Sequence, residues 1–217
     1  MPSIDPYINR GEAKRFLASI PWINSESIAQ SKWNADHSTY GVGANTFRAF
    51  TGYQNKPSVQ YRAWARNQSK SLSGEALLKA TSSRQDFDAW HQELAQSLRR
   101  TWQRTQSKPL SVAHKYKLVD LYVKWLTRHA FTPPSVTEGL LNHAHCALDS
   151  RILNTINKCL SSALPLNAAS MGHIATEETY AFCQQVIREY CLAIGGTPIL
   201  FDYYAWPLRP KLAPAKD

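Results

Sequence analysis

Lys117, in the run KLVDLYVKWL, and Asp149, in ALDSRILNTI, are the side chains with the most chemistry to offer. A lysine amine attacks an electrophilic carbon only when neutral, and at the reference pKa only about one in 2,500 is neutral at pH 7. Nucleophilic use therefore calls for desolvation and like charge close by, here from Lys115, Lys124 and Arg128. A carboxylate beside the reacting centre offsets positive charge that develops there and can carry protons. Each residue also has an ordinary explanation. Lys117 can be a solvated lysine with Asp120 as its helical neighbour, and Asp149 an acid that satisfies backbone N–H groups at a helix start. Lys115 is a rival nucleophile, but it lies about 200° of helix away from Lys117.

The elements that must position these groups read as helices. Ser83 and Asp86 have capping-box spacing, and Phe87, Trp90, Leu94, Leu98 and Trp102 recur on one helical face. After Pro109, the residues Ala113, Tyr116, Val119, Val123 and Leu126 form an apolar stripe, while Lys117, Leu121, Lys124 and Arg128 share a second face. FTPPS ends that helix, and Ser135 with Glu138 is expected to cap a short successor. Ile152, Ile156, Leu160 and Ala163 mark the helix after Asp149. The next begins near Thr176, with Glu177 and Glu178 at its positive end, and stops at Gly195 and Gly196. Thr197 and Pro198 open a last helix, ILFDYYAW. The first 70 residues, with Gly41, Gly43 and Gly52 among polar and aromatic residues, suggest loops joining short helices. No strand-length alternation stands out, so the fold class is all-α.

The net charge is +9. Between Glu93 and Asp120 there is no carboxylate, whereas Arg99, Arg100, Arg104, Lys108, Lys115 and Lys117 are all positive. Such a stretch suits a solvated helix face or a phosphate-binding surface. The four cysteines, Cys146, Cys159, Cys183 and Cys191, fit no zinc or iron–sulfur spacing and read as reduced, buried thiols. His143 and His145 stand two apart without a spaced third ligand, so neither a metal nor a cofactor is expected. No apolar run approaches the roughly 20 residues of a membrane span. A soluble, cytoplasmic, monomeric protein is expected.

Taken together, KLVDLYVKWL, ALDSRILNTI and the closing run VIREYCLAIGGTPILFDYYAWPL resemble the helix-hairpin-helix DNA glycosylase superfamily, most nearly its archaeal 8-oxoguanine DNA glycosylase branch. The resemblance spans residues 111 to 209. It implies a two-lobed helical bundle with a divergent hairpin and a cleft between the lobes. Residues 1–110 would form an N-terminal helical and loop region with a basic helix, residues 111–209 the catalytic helices, and residues 210–217 a flexible tail. It makes Lys117 the nucleophile and Asp149 the catalytic carboxylate, with Asp202 and Trp206 holding and stacking an extruded base, Leu121 in the pocket wall and Leu148 as the apolar residue just before the aspartate, in a protein of the bacterial or archaeal nucleoid.

The family's hairpin places glycines just before the lysine. SVAHKYK has none, so phosphate contact falls to the side chains of His114 and Lys115, with Arg99, Arg100, Arg104, Lys108 and Arg151 as further DNA contacts. The loop TGYQNKP offers Tyr53, Gln54 and Asn55 as a wedge behind the extruded nucleotide, or forms a plain surface turn. The activity implied is removal of an oxidised or otherwise modified base from double-stranded DNA, with strand-cleaving lyase activity, in repair or in defence against modified foreign DNA. Two other classes stay open: a DNA-binding or adaptor protein that keeps the fold without the chemistry, and a helical protein-interaction module.

Overall fold

The computed structural model describes residues 3–164 and 170–206. Nine α-helices are found among them: α1 (Arg10–Trp22), α2 (Pro57–Ser71), α3 (Gly74–Ala80), α4 (Arg84–Gln103), α5 (Val112–Leu126), α6 (Pro134–His143), α7 (Ser150–Cys159), α8 (Glu177–Ile194) and α9 (Pro198–Ala205). Ser31–Lys32 (β1) and His129–Ala130 (β2) make a short parallel pairing. The fold is all-α, as the periodicity indicates. No described helix is long and apolar enough to cross a membrane.

The polar caps fall where the sequence puts them. Ser83, Asp149, Thr176 and Thr197 each accept a hydrogen bond from a backbone N–H of the first turn that follows, satisfying donors that the helix itself leaves unpaired. Gly195 ends α8 with φ 83°, a left-handed stop that glycine adopts without a Cβ penalty. Two boundaries differ from expectation. The cap position of α6 is Pro133, without a side-chain cap, and Ser135 and Glu138 lie inside the helix; the fixed φ of Pro134 at the first helical position starts it instead. The helix after Asp149 ends at Cys159, so Ala163 lies beyond it. The first 70 residues also hold two full-length helices, α1 and α2, rather than short ones. In α1 only Ala13 and Phe16 are buried, too sparse a pattern to announce a helix.

α5 runs through the middle of the molecule. Ten of its fifteen residues are buried, among them Lys115 and Asp120, so it is enclosed on most sides. α4 packs along it. From the N-terminal region, α1 packs on α7 and α9: the Asn9 N–H donates to the Cys159 carbonyl at 2.8 Å, Phe16 meets Phe201 edge-on at 5.6 Å, and a Cβ on Gly196 would lie 2.6 Å from the Phe16 ring. Among the described residues, the segments up to 110 and from 111 on are thus packed into one another rather than apart. The 210–217 tail lies outside the described residues. All four cysteines are free and buried, and burial pushes the Cys146 thiol well above its ordinary value.

The loop before α2 lies against α5. The Tyr61 hydroxyl donates to the Tyr40 carbonyl at 2.6 Å, and Tyr40, His37 and Trp33 gather around Trp125. Gly41 has φ 79°, and a Cβ there would sit 2.5 Å from Trp125 Cβ and 2.8 Å from the Leu121 carbonyl oxygen. Only glycine lets this backbone approach so closely. Gly41→Ala is expected to cost about 2–4 kcal/mol from left-handed strain and overpacking, read as a lower midpoint in urea unfolding; an unchanged midpoint would mean the loop does not bear on α5.

Candidate active site

The second face of α5 opens onto a cavity of about 430 Å³, within the range of small-molecule sites. Lys117, Leu121, Lys124 and Arg128 line it, four residues at the spacing the sequence showed. Gly41, Asn45 and Thr46 form the wall opposite. Ala147 and Asp149, just ahead of α7, and Asp202, Tyr203 and Trp206, at the end of α9, complete it.

Lys117 and Asp149 meet inside this hollow, Nζ donating to Oδ2 at 3.3 Å. Met171 Sδ is 3.7 Å from the same nitrogen. Asp149 is 6% exposed, and its Oδ1 accepts from the Arg151 and Ile152 backbone N–H groups at 2.9 and 3.0 Å and from Trp206 Nε1 at 3.3 Å. The helix-capping and chemical roles of this residue are therefore compatible: Oδ1 belongs to the helix, Oδ2 to the lysine. Both backbone donors belong to the first turn of α7, whose N–H groups the helix itself leaves unpaired.

At the far end of the hollow, Asp202 is 1% exposed. Its Oδ2 accepts from the Ala147 N–H at 2.6 Å, and its Oδ1 is paired with the Lys124 ammonium, which lies 4.0 Å from the centre of the Tyr203 ring. A buried carboxylate is tolerated when paired in this way. Lys124 thus belongs to Asp202, and Lys115 to Glu177 at 2.5 Å; neither acts as the unpaired like charge that the sequence reading placed beside Lys117. The irregular segment before Asp149 is held by Gln184 of α8, whose side chain accepts from the Cys146 N–H at 3.1 Å and donates to the Cys146 carbonyl at 2.7 Å.

The remaining sequence candidates divide. Trp206 sits at the rim, 45% exposed, with the Arg151 guanidinium 4.3 Å from its ring centre. Leu121 lines the cavity, but Leu148 points into the core and Ala147 takes its place in the wall, because successive residues of an extended segment face opposite ways. Lys115 is buried among Tyr116 and Glu177 and is not available to a phosphate. His114 stacks on Phe50 with ring centres 4.1 Å apart, and burial, then the nearby positive charge of Lys117 and Lys108, lowers its pKa. Arg99, Arg100 and Arg104 are exposed, without an ion pair among the described residues. Lys108 is exposed and donates to the Thr51 carbonyl.

In the wedge loop, Tyr53 bonds the Pro109 carbonyl and packs edge-on against Trp102, and Asn55 bonds the Thr105 carbonyl. The Gln54 side chain is left exposed. His143 and His145 do not converge; His145 turns instead toward His91, Asp88 and Tyr180. Burial pushes the His145 pKa down to about 3, so it is neutral at pH 7.

Sequence reasoning missed the Lys124–Asp202 pair and the 41–46 wall. The first had a signal in Lys124's place on the Lys117 face; the second rests on tertiary contact that local pattern does not carry. Compared with protein-family models, curated proteins and solved structures, the chain matches none.

The split use of the Asp149 oxygens separates stability from chemistry. Asparagine caps helices about as well as aspartate, whereas alanine does not. Asp149→Ala is therefore expected to be less stable than Asp149→Asn by about 1 kcal/mol in chemical denaturation; equal stabilities would detach the Oδ1 contacts from the integrity of α7.

Proposed function

We propose that the protein is a DNA glycosylase with accompanying lyase activity, and that it acts on a modified base swung out of a duplex into the cavity beside α5. The observation that carries this reading is the convergence of Lys117 and Asp149, 3.3 Å apart, at a hollow that also holds Asp202 and Trp206. An amine and a carboxylate in one enclosed site supply the two groups that displacement at a sugar carbon requires. The helix-hairpin-helix glycosylase resemblance of the sequence agrees with it, and a two-lobed arrangement of that type is part of the proposal.

The chemistry follows from the positions. Asp149 Oδ2 takes a proton from the Lys117 ammonium, freeing its lone pair. Nζ then attacks C1′ as the C1′–N bond breaks, and the bonding electrons leave with the base, which is protonated. Asp149 passes the proton it has taken to the departing base, and the carboxylate so restored offsets the positive charge left on the sugar and its new amine. The attached nitrogen gives one proton to O4′ as the sugar ring opens, which leaves a protonated imine between Nζ and C1′; loss of a C2′ proton to the Asp149 carboxylate then expels the 3′ phosphate by elimination. The base itself rests against Trp206. Its polar edge meets the Lys124–Asp202 pair, which offers a donor and, through the remaining lone pairs of the carboxylate, an acceptor side by side. Single-stranded character at the extruded nucleotide fits the open rim formed by Trp206 and Arg151.

Duplex binding falls to the exposed arginines of α4 and to Lys108, which stands with His114 near the start of α5, where backbone N–H groups and the helix dipole favour a phosphate.

Borohydride reduction in the presence of duplexes carrying abasic sites or modified bases tests the covalent step. A trapped protein–DNA adduct is expected for the parent chain and for Lys115→Gln, and none for Lys117→Gln. An adduct that persists in Lys117→Gln, or base release that proceeds without any adduct, would overturn Lys117 as nucleophile. Binding to DNA with no base release from any duplex would leave a DNA-binding protein without chemistry.

The α4 surface is tested separately. Removing Arg99, Arg100 and Arg104 together is expected to reduce the slope of log affinity against log salt by roughly 2–3, near 0.9 per lost phosphate contact. An unchanged slope would place DNA elsewhere on the surface.

A further inference from the structure

A second cavity, about 380 Å³, lies on the other side of α5 from the first and is lined by polar side chains that include Asp88, Gln92, Glu177, Gln185 and Arg188. At its floor His91 of α4, Asp120 of α5 and His145 bring one ring nitrogen, one carboxylate oxygen and one ring nitrogen within 4.8 Å of one another. All three are buried, at 3%, 0% and 8% exposure. Nothing in the chemistry assigned to Lys117 and Asp149 uses them.

The cluster is joined in one chain of contacts. His145 Nε2 meets Asp88 Oδ1 at 3.1 Å, His145 Nδ1 meets the Tyr180 hydroxyl at 3.0 Å, that hydroxyl meets Asp120 at 2.9 Å, and Asp120 meets His91 Nε2 at 2.7 Å. Asp120 is wholly buried, and among the described residues its ion-pair contact is with a histidine, not with a lysine or arginine. A buried carboxylate without a permanent cation is costly, and a bound metal ion is one of the few ways to support it.

We propose that His91, Asp120 and His145 form a binding site for one divalent transition-metal ion of the zinc class, entered through the second cavity. Two imidazoles and a carboxylate are a donor set that zinc takes, with a fourth position left for water or for Asp88 from the cavity side. Donors of a tetrahedral zinc site lie about 3.4 Å apart, so side-chain movements on the order of 1 Å bring these three into range. Tyr180, hydrogen-bonded to Asp120, is the outer partner that orients the carboxylate, as such sites require.

The ion ties α4 and α5 to the segment that leads into Asp149. It binds whether or not Lys117 is a nucleophile, so this proposal and the glycosylase reading stand or fall separately.

The test uses the full-length protein stripped with a chelator and titrated with Co²⁺, whose tetrahedral complexes absorb visible light, followed by Zn²⁺. A visible band that saturates at one Co²⁺ per chain, is abolished by an equivalent of Zn²⁺ and accompanies a rise in Tm is expected. Asp120→Asn and His145→Gln should lose the band, and the double variant His37→Ala/His173→Ala should keep it. Where the buried variants do not fold, judged by circular dichroism, ring ¹⁵N spectra of the wild type decide: two of the seven imidazoles should shift together and saturate at one equivalent of Zn²⁺. Absence of a stoichiometric band, a band that survives in folded Asp120→Asn and His145→Gln, or fewer than two shifted rings would overturn the site.

Discussion

The Asp149 carboxylate divides its oxygens between the backbone N–H groups of α7 and the Lys117 ammonium, and this division organises the cavity. An acid free to rotate would not hold its second oxygen toward the lysine. Here the first turn of a helix fixes the side chain through Oδ1, so the direction of Oδ2 is set by backbone rather than by the lysine it faces. The same contacts satisfy N–H groups that the first turn of α7 leaves unpaired, through a side chain nearly out of contact with water. Trp206 adds a third donor to Oδ1, coupling the rim of the hollow to the Lys117–Asp149 pair.

Around that point the protein relies on polar contacts to hold a stretch without regular structure. Residues 144–149 form neither helix nor strand, yet most of them are buried. Their backbone groups still need partners. Gln184 takes both polar groups of Cys146, and Asp202 takes the N–H of Ala147. Asp202 accordingly has a structural duty beside any part in holding a base, and Lys124 neutralises it from α5. Two ion pairs, Lys117–Asp149 and Lys124–Asp202, thus join α5 to the segments around it along one face.

What the sequence discloses of this arrangement, and what it hides, follows from the range of each interaction. The Lys117 face of α5 was legible because helical spacing alone puts Lys117, Leu121, Lys124 and Arg128 in line. Caps such as Ser83, Thr176 and Thr197 are equally local. Lys115 misled because its charge suggests solvent, whereas Glu177 of a distant helix draws it into the interior. Leu148 and Ala147 exchanged roles because the orientation of an irregular segment depends on Gln184 and Asp202, far along the chain. His91 sits on an apolar helical face where pattern alone offers no reason for a polar ring; its reason is Asp120, on the neighbouring helix. The wall at Gly41 depends on contact with Trp125 and leaves only a glycine as its trace.

Because α9 supplies Asp202, Tyr203 and Trp206 while α1 and α7 clasp it from behind, the hollow exists only when segments far apart in the chain are docked together. Six of the eight residues of α9 are buried, so this docking is extensive, and the shape of the hollow depends on it. Peeling α9 away would strip the cavity of its floor and rim while α4 and α5 kept their mutual packing. Loss of the hollow and loss of helical content are therefore separable events: the first follows from undocking one eight-residue helix, the second from unfolding the others.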